Sequence, residues 1–337
     1  REAITLRNPN MIGLVRNEVT KIASKRRFAV VAIILIVLVS MFTYAQYRDI
    51  QEQIKKQGTL DWRVELQQDI VDTQNRLASS SIQDEFRQFL EFDLKQNQYY
   101  LDNDINPNYP GAPTFIRIFF SQGLTLILPL FIIVIMADIV SGEQNDGTIK
   151  TLLSRPVRRW KILMAKWLTV LLYTSMLMAL TVVVCYAISG IVLGYDGWTA
   201  PILTGFQASP SGTFSTEFVH TLPMWEYLLM AVGLAWIVTA VVGTIALMVS
   251  VLVKNTATGI GIMMAVLISG TLLTTLGSSW TSSKYLVNVN FGLINYLDGQ
   301  APPIEGMTLP FSLAVLGCWT VAALIVAFWN FTQKDMY

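Results

Sequence analysis

The 337 residues are 53% hydrophobic and only 14% charged, with a mean hydropathy of +0.48. A soluble domain carries about a quarter charged residues, so this composition excludes an ordinary water-soluble enzyme and points to a membrane protein. The net charge is +1, and Cys185 and Cys318 both fall in apolar runs, which leaves no disulfide framework and no metal-ligand spacing.

Residues 1–27 precede the first apolar run. Within them Met11, Val15, Val19 and Ile22 recur at helical spacing, with Arg16, Glu18 and Lys21 between. Such a face predicts an amphipathic helix lying in the membrane interface. Lys25, Arg26 and Arg27 then anchor the first span. The long polar lead and the length of the run 28–47 favour a retained anchor over a cleaved signal.

The insert 48–114 is acidic and rich in Gln and Asn. Trp62, Leu66, Ile70 and Leu77 share one helical face, and Ile82, Phe86, Leu90 and Leu94 share another. Ser79, Ser80 and Ser81 separate them, with Ser81 and Asp84 as a capping box. This predicts a helical hairpin, too small to form a core alone, that packs on the spans, on a second copy or on a partner. It reads equally as a solvated spacer or as a binding element.

The second span is expected over 115–140, kinked at Pro129 with Gly123 easing its outer half. Asp138, near its inner end, reads as a structural anchor or as a group handling protons or cations. The polar stretch 141–166 follows. Ser141 is expected to cap a helix start, Ile149, Leu152 and Leu153 give a short apolar face, and Pro156 stops the helix. Arg155, Arg158 and Arg159 are placed to meet anionic headgroups. As charge pattern alone, the stretch is a basic turn hugging the membrane.

Glu143, then Gly147-Thr148-Ile149-Lys150, Leu152-Leu153, Pro156-Val157 and Arg159, with Lys166 opening the next span, resemble the motif of ABC-2-type permeases, the membrane subunits of ABC exporters. The resemblance covers the layout of the whole chain, and its motif support rests on 141–166. It implies a cytoplasmic coupling helix over 141–160, seated on a separate ATPase subunit that binds ATP and Mg. Glu143, Gly147, Thr148, Ile149, Leu152 and Leu153 are then the ATPase-coupling contacts. It further implies two ATPase copies per complex and a permease homodimer, or a pairing with a related permease. The substrate path falls at the dimer seam, where Phe119, Phe120, Leu126 and Met263 are candidates. So apolar a seam suits an amphipathic peptide, a lipid or a hydrophobic drug; sodium is the alternative cargo. The long insert departs from the compact outer loops of many relatives, so it either caps the exit or receives a partner.

Spans three to six are expected within 161–337, with outer loops at 194–224 and 280–309; Lys254 is the sole charge in the turn between the fourth and fifth. Gly259, Gly261, Gly270 and Gly277 suggest close helix approach in the fifth. The segments assigned inside hold well over half of the 24 basic residues and few of the 23 acidic ones, which predicts two cytoplasmic termini in the cell membrane. Ser175, Thr181 and Thr239 are expected to bond to their own helix backbone.

There is no G-x-x-x-x-G-K-[ST] phosphate loop and no buried nucleophile with a base, so neither ATP binding in the usual way nor hydrolytic chemistry is expected of this chain, and no cofactor or metal. The basic clusters lack interleaved aromatics, which favours lipid headgroups over nucleic acid. The fold expected is all-α: six transmembrane helices, an N-terminal interfacial helix, a cytoplasmic coupling helix and an extracellular helical hairpin. Two rivals of other classes are a transporter or channel working without an ATPase and a scaffold or sensor that binds a ligand through the hairpin.

Overall fold

The computed structural model describes residues 10–57, 61–79, 84–148, 157–208, 214–276, 280–300, 302–304 and 306–333. The helical periodicity at the start of the chain forms α1 (Met11–Ser24), and the first apolar run continues without a break into the polar insert as α2 (Arg27–Gln57). The hairpin follows as α3 (Trp62–Leu77) and α4 (Asp84–Asp102). Asp61 caps α3 by accepting from the Arg63 N–H at 3.0 Å. The expected Ser81 cap lies outside the described residues.

The second span is two pieces, α5 (Ala112–Gly123) and α6 (Ile127–Met136), and α6 is followed by the short α7 (Ser141–Asn145). The break falls at 124–126 rather than at Pro129. Pro129 lies in the first turn of α6, where its missing N–H would have had no helical partner. The remaining helices are α8 (Arg159–Leu193), α9 (Met224–Leu252), α10 (Thr256–Leu276) and α11 (Leu309–Gln333). Six of these segments are long and apolar enough to cross a membrane, so this is an all-α, multi-pass membrane protein.

The fourth span, α9, is at the centre, packed by α11, α8, α6 and α5. The second and fourth spans bury 72% and 61% of their apolar windows, whereas the first, fifth and sixth bury 22% each and turn most of their apolar surface outward. The hydroxyls of Ser175, Thr181 and Thr239 donate to the carbonyls four residues earlier at 2.8–3.0 Å, as expected. Two such hydroxyls also tie helices together: Trp236 donates to Ser175 at 3.0 Å and Trp167 to Thr244 at 3.1 Å. Asn255 caps α10 by accepting from the Ala257 N–H.

The loop after α8 carries two small antiparallel ladders that helical periodicity does not announce: β1 (Pro201–Thr204) with β4 (His220–Pro223), and β2 (Gln207–Ala208) with β3 (Phe214–Ser215). The hairpin packs on this loop. Leu66, Phe92 and Tyr100 form a small core with Leu203 and Phe206, so the hairpin draws its core from the neighbouring loop of the same chain. Three 3-10 turns, Thr281–Tyr285, Asn288–Asn290 and Leu293–Tyr296, fill the stretch before α11.

Candidate functional site

On α1 the residues Glu18, Lys21 and Ile22, with Lys25 just past its end, follow helical spacing and share one face. That face turns inward. Glu18 and Ile22 are the buried residues of α1, while Ile12 is 81% exposed. In the sequence, Glu18 and Lys21 fall between the apolar positions of this helix. Their burial is possible because other parts of the chain supply opposite charges.

Lys166, eight residues into α8, is fully buried. Its ammonium lies 2.7 Å from Glu18 Oε2 and 2.9 Å from Glu143 Oε2, and it donates to the Ile139 carbonyl at 2.8 Å. Lys21 lies 2.8 Å from Glu18 Oε1 and 2.7 Å from Glu143 Oε1. Two carboxylates therefore alternate with two ammoniums and the four charges cancel. Burial works to lower the Lys21 pKa, but the carboxylates of Glu143 and Glu18 outweigh it and hold it above its usual value.

A second group of charges lies beside the first. Asp138 pairs with Lys25 at 2.6 Å and with Arg27 at 3.0 Å. Of the two readings of Asp138, this pairing favours the anchor. Both groups connect α1 to the end of the second span, and a cavity of about 370 Å³ opens beside them, lined by Glu18, Lys21, Lys25, Asp138, Glu143 and Thr148. Buried pairs contribute little net stability, but breaking one is costly, so they fix relative position.

Ser141 does not cap α7. It is the first residue of that helix, and its hydroxyl donates back to the Ala137 carbonyl at 3.0 Å. The capping acceptor comes from α9 instead: Ser250 Oγ accepts the N–H groups of Val140 and Ser141 at 3.0 and 2.9 Å. Glu143 is turned into the chain rather than presented outward. Thr148 donates to its carbonyl at 3.3 Å, and Gly147, at φ +67°, adopts the left-handed conformation that lets the chain leave the helix.

Ile149, Leu152, Leu153 and Arg155 lie outside the described residues. Among the other basic residues, Lys25 and Arg27 are paired as above, Arg26 and Arg158 are exposed, and Arg159 reaches the Thr332 carbonyl at 3.4 Å. The four candidates for a substrate path are not gathered on one surface. Phe120 and Met263 are buried in the bundle and Leu126 is 39% exposed. Phe119 lines an apolar pocket of about 220 Å³ with Phe42, Phe115 and Ile127.

Glu18 and Ser250 were missed as site residues, and Lys166 appeared only as the residue opening a span. A signal was available for Lys166. A lysine inside an apolar run must find a carboxylate, and Glu18 and Glu143 are among the few near the same membrane face.

The family DUF2705, described as a protein of unknown function, matches residues 86–337. YhcI of Bacillus subtilis (strain 168), an uncharacterized protein, is 28% identical over 329 residues, covering 97% of this chain and 99% of its own. YdbK of the same organism, an uncharacterized membrane protein, is 28% identical over 221 residues, covering 64% of this chain and 81% of its own. The family match takes in α7, Lys166, Ser250 and every span from the second onward, and the chain belongs to the DUF2705 family.

Proposed function

We propose that the chain is the transmembrane subunit of an ATP-driven ABC exporter of the ABC-2 type, moving an amphipathic or hydrophobic substrate with a separate ATPase subunit. One observation carries the reading. The loop bearing the permease-like motif begins at a helix clamped to α1 and α8 through Glu143, Lys166, Glu18 and Lys21. A lever is useful only if force applied to it moves something else, and this clamp links the loop to an interfacial helix and to the third span. In this reading both termini are cytoplasmic and the hairpin is outside. ATP-driven closure of two ATPase subunits pushes the loops, and the spans of two permease copies rock against each other. Glu143 then transmits force inside the chain, leaving contact with the ATPase to Ile149, Leu152 and Leu153.

Affinity purification of the chain from its native membrane in mild detergent tests this. The expected result is an ATPase with a phosphate-binding loop at one copy per permease, lost when Leu152 is changed to Arg. Purification of a chain that carries out transport in vesicles with no second protein would sink the proposal.

A second reading, a sensor that binds a ligand through the hairpin, is favoured by a polar cleft at the opposite end of the bundle from the charge cluster.

A further inference from the structure

Helices α3, α4 and α5, the linker at Pro107 and Asn108, and the turn after the third 3-10 segment line that cleft. From α3 come Asp69, Asp72 and Arg76, and from α4 come Asp93, Gln96, Asn97 and Tyr100. The α5 wall supplies Arg117, Ser121 and Gln122, and the turn after the third 3-10 segment supplies Asp298 and Gln300. The volume is about 530 Å³, within the range of small-ligand sites. The walls are held together without filling the space: Gln96 donates to the Asp298 carbonyl at 3.1 Å, and Tyr227 donates to Asp298 Oδ1 at 2.7 Å.

The cleft is short of positive charge and of donors to its carboxylates. It holds four carboxylates against two guanidiniums. Among the described residues, Asp69 and Asp93 accept no hydrogen bond and form no ion pair. Burial, and then the charges of Glu65, Asp93 and Asp72, push the Asp69 carboxyl above its ordinary pKa; burial does the same to Asp93, against the pull of Arg76. Arg117 also lines the cleft: its Nη2 donates to the Pro107 carbonyl at 3.0 Å, and its buried Nε has no hydrogen-bond partner. A guanidinium that lines the cleft offers donors to an acceptor on a ligand. No three carboxylate, thiol or imidazole groups among the described residues come together closely enough to hold a metal ion.

We infer that the cleft between the helical hairpin and α5 is a binding site for an organic cation that also carries hydrogen-bond acceptors. Its ammonium or guanidinium groups meet Asp69 and Asp93, and an amide or hydroxyl oxygen meets the guanidinium of Arg117. Gln122, Ser121 and Asn97 line the intervening wall. The inference rests on no part of the transport reading and applies equally to a sensor.

The test uses the full chain in lipid nanodiscs and tri-lysine as probe, a molecule with both ammoniums and carbonyl oxygens, followed by calorimetry. Saturable binding is expected, and it should vanish for tri-lysine acetylated on its side-chain amines. Asp93→Asn should weaken binding about tenfold, the worth of one charge-assisted hydrogen bond. Gln122→Ala should weaken it several-fold and serves as the independent variant if Asp93→Asn elutes as aggregate. Glu217→Gln removes the same charge from the exposed loop beyond β3 and should change nothing. Absence of saturable binding, equal binding of the acetylated peptide, or equal weakening by Glu217→Gln would each overturn the site. Retention of full affinity by folded Asp93→Asn and Gln122→Ala proteins would do the same.

Discussion

The ammonium of Lys166 lies 2.7 Å from the carboxylate of Glu18, a residue 148 positions earlier in the chain. Neither is accessible: Lys166 is wholly buried and Glu18 is 4% exposed. The contact therefore fixes α1 on the third span, and Glu143 shares the same ammonium.

Removing that ammonium should be severe. Lys166→Met leaves Glu18 and Glu143 facing Lys21 alone, and breaking a buried pair in this way costs about 3–5 kcal/mol. Thermal unfolding in detergent should show a large drop in midpoint. Adding Glu18→Gln and Glu143→Gln to Lys166→Met should recover a good part of it, because no uncompensated carboxylate then remains.

Ser250→Ala should have a smaller and more local effect. It removes the acceptor for the Val140 and Ser141 N–H groups, worth about 1 kcal/mol as a lost cap. Hydrogen exchange should speed up over 140–145 while the core of α9 stays protected. Unchanged exchange there would show that water replaces the serine.

In the fifth span the expected close approach is local. A Cβ at Gly270 would overlap the Asn288 side chain, whereas one at Gly261 would meet nothing within 4 Å. Gly270→Ala should therefore destabilise by about 1–3 kcal/mol, as overpacking does, and Gly261→Ala should be near neutral or slightly stabilising. A pair of melting curves decides it.

The pH dependence of the hairpin follows from Asp93. Its folded pKa lies above the unfolded value, so the folded chain binds this proton more tightly. The contribution of this group to stability accordingly rises as pH falls through the folded pKa toward the unfolded one. Asp93→Asn should raise the melting point at pH 7, with the advantage over wild type shrinking as the buffer is made acidic. A constant difference across pH would contradict the burial cause.

Sidedness can be read with cysteines placed at Ser79 and Arg158 in a chain carrying Cys318→Ala, since Cys318 is itself exposed. A membrane-impermeant maleimide added to intact cells should label position 79, and position 158 only after permeabilisation. The reverse pattern would invert the proposed orientation.

What the chain order of residues determined was local or additive: span number from apolar run length, the hairpin from two amphipathic faces, and hydroxyl back-bonding within helices. Each depends on neighbours three or four residues away, so periodicity suffices to read it. Tertiary structure alone decided that Glu18 faces inward, that Ser250 rather than Ser141 caps α7, and that the second span breaks ahead of Pro129. It also decided that the hairpin finds its missing core on Leu203 and Phe206. A buried charge or an orphan N–H needs a partner by free energy, but which residue supplies it is set by the packing of helices far apart in sequence.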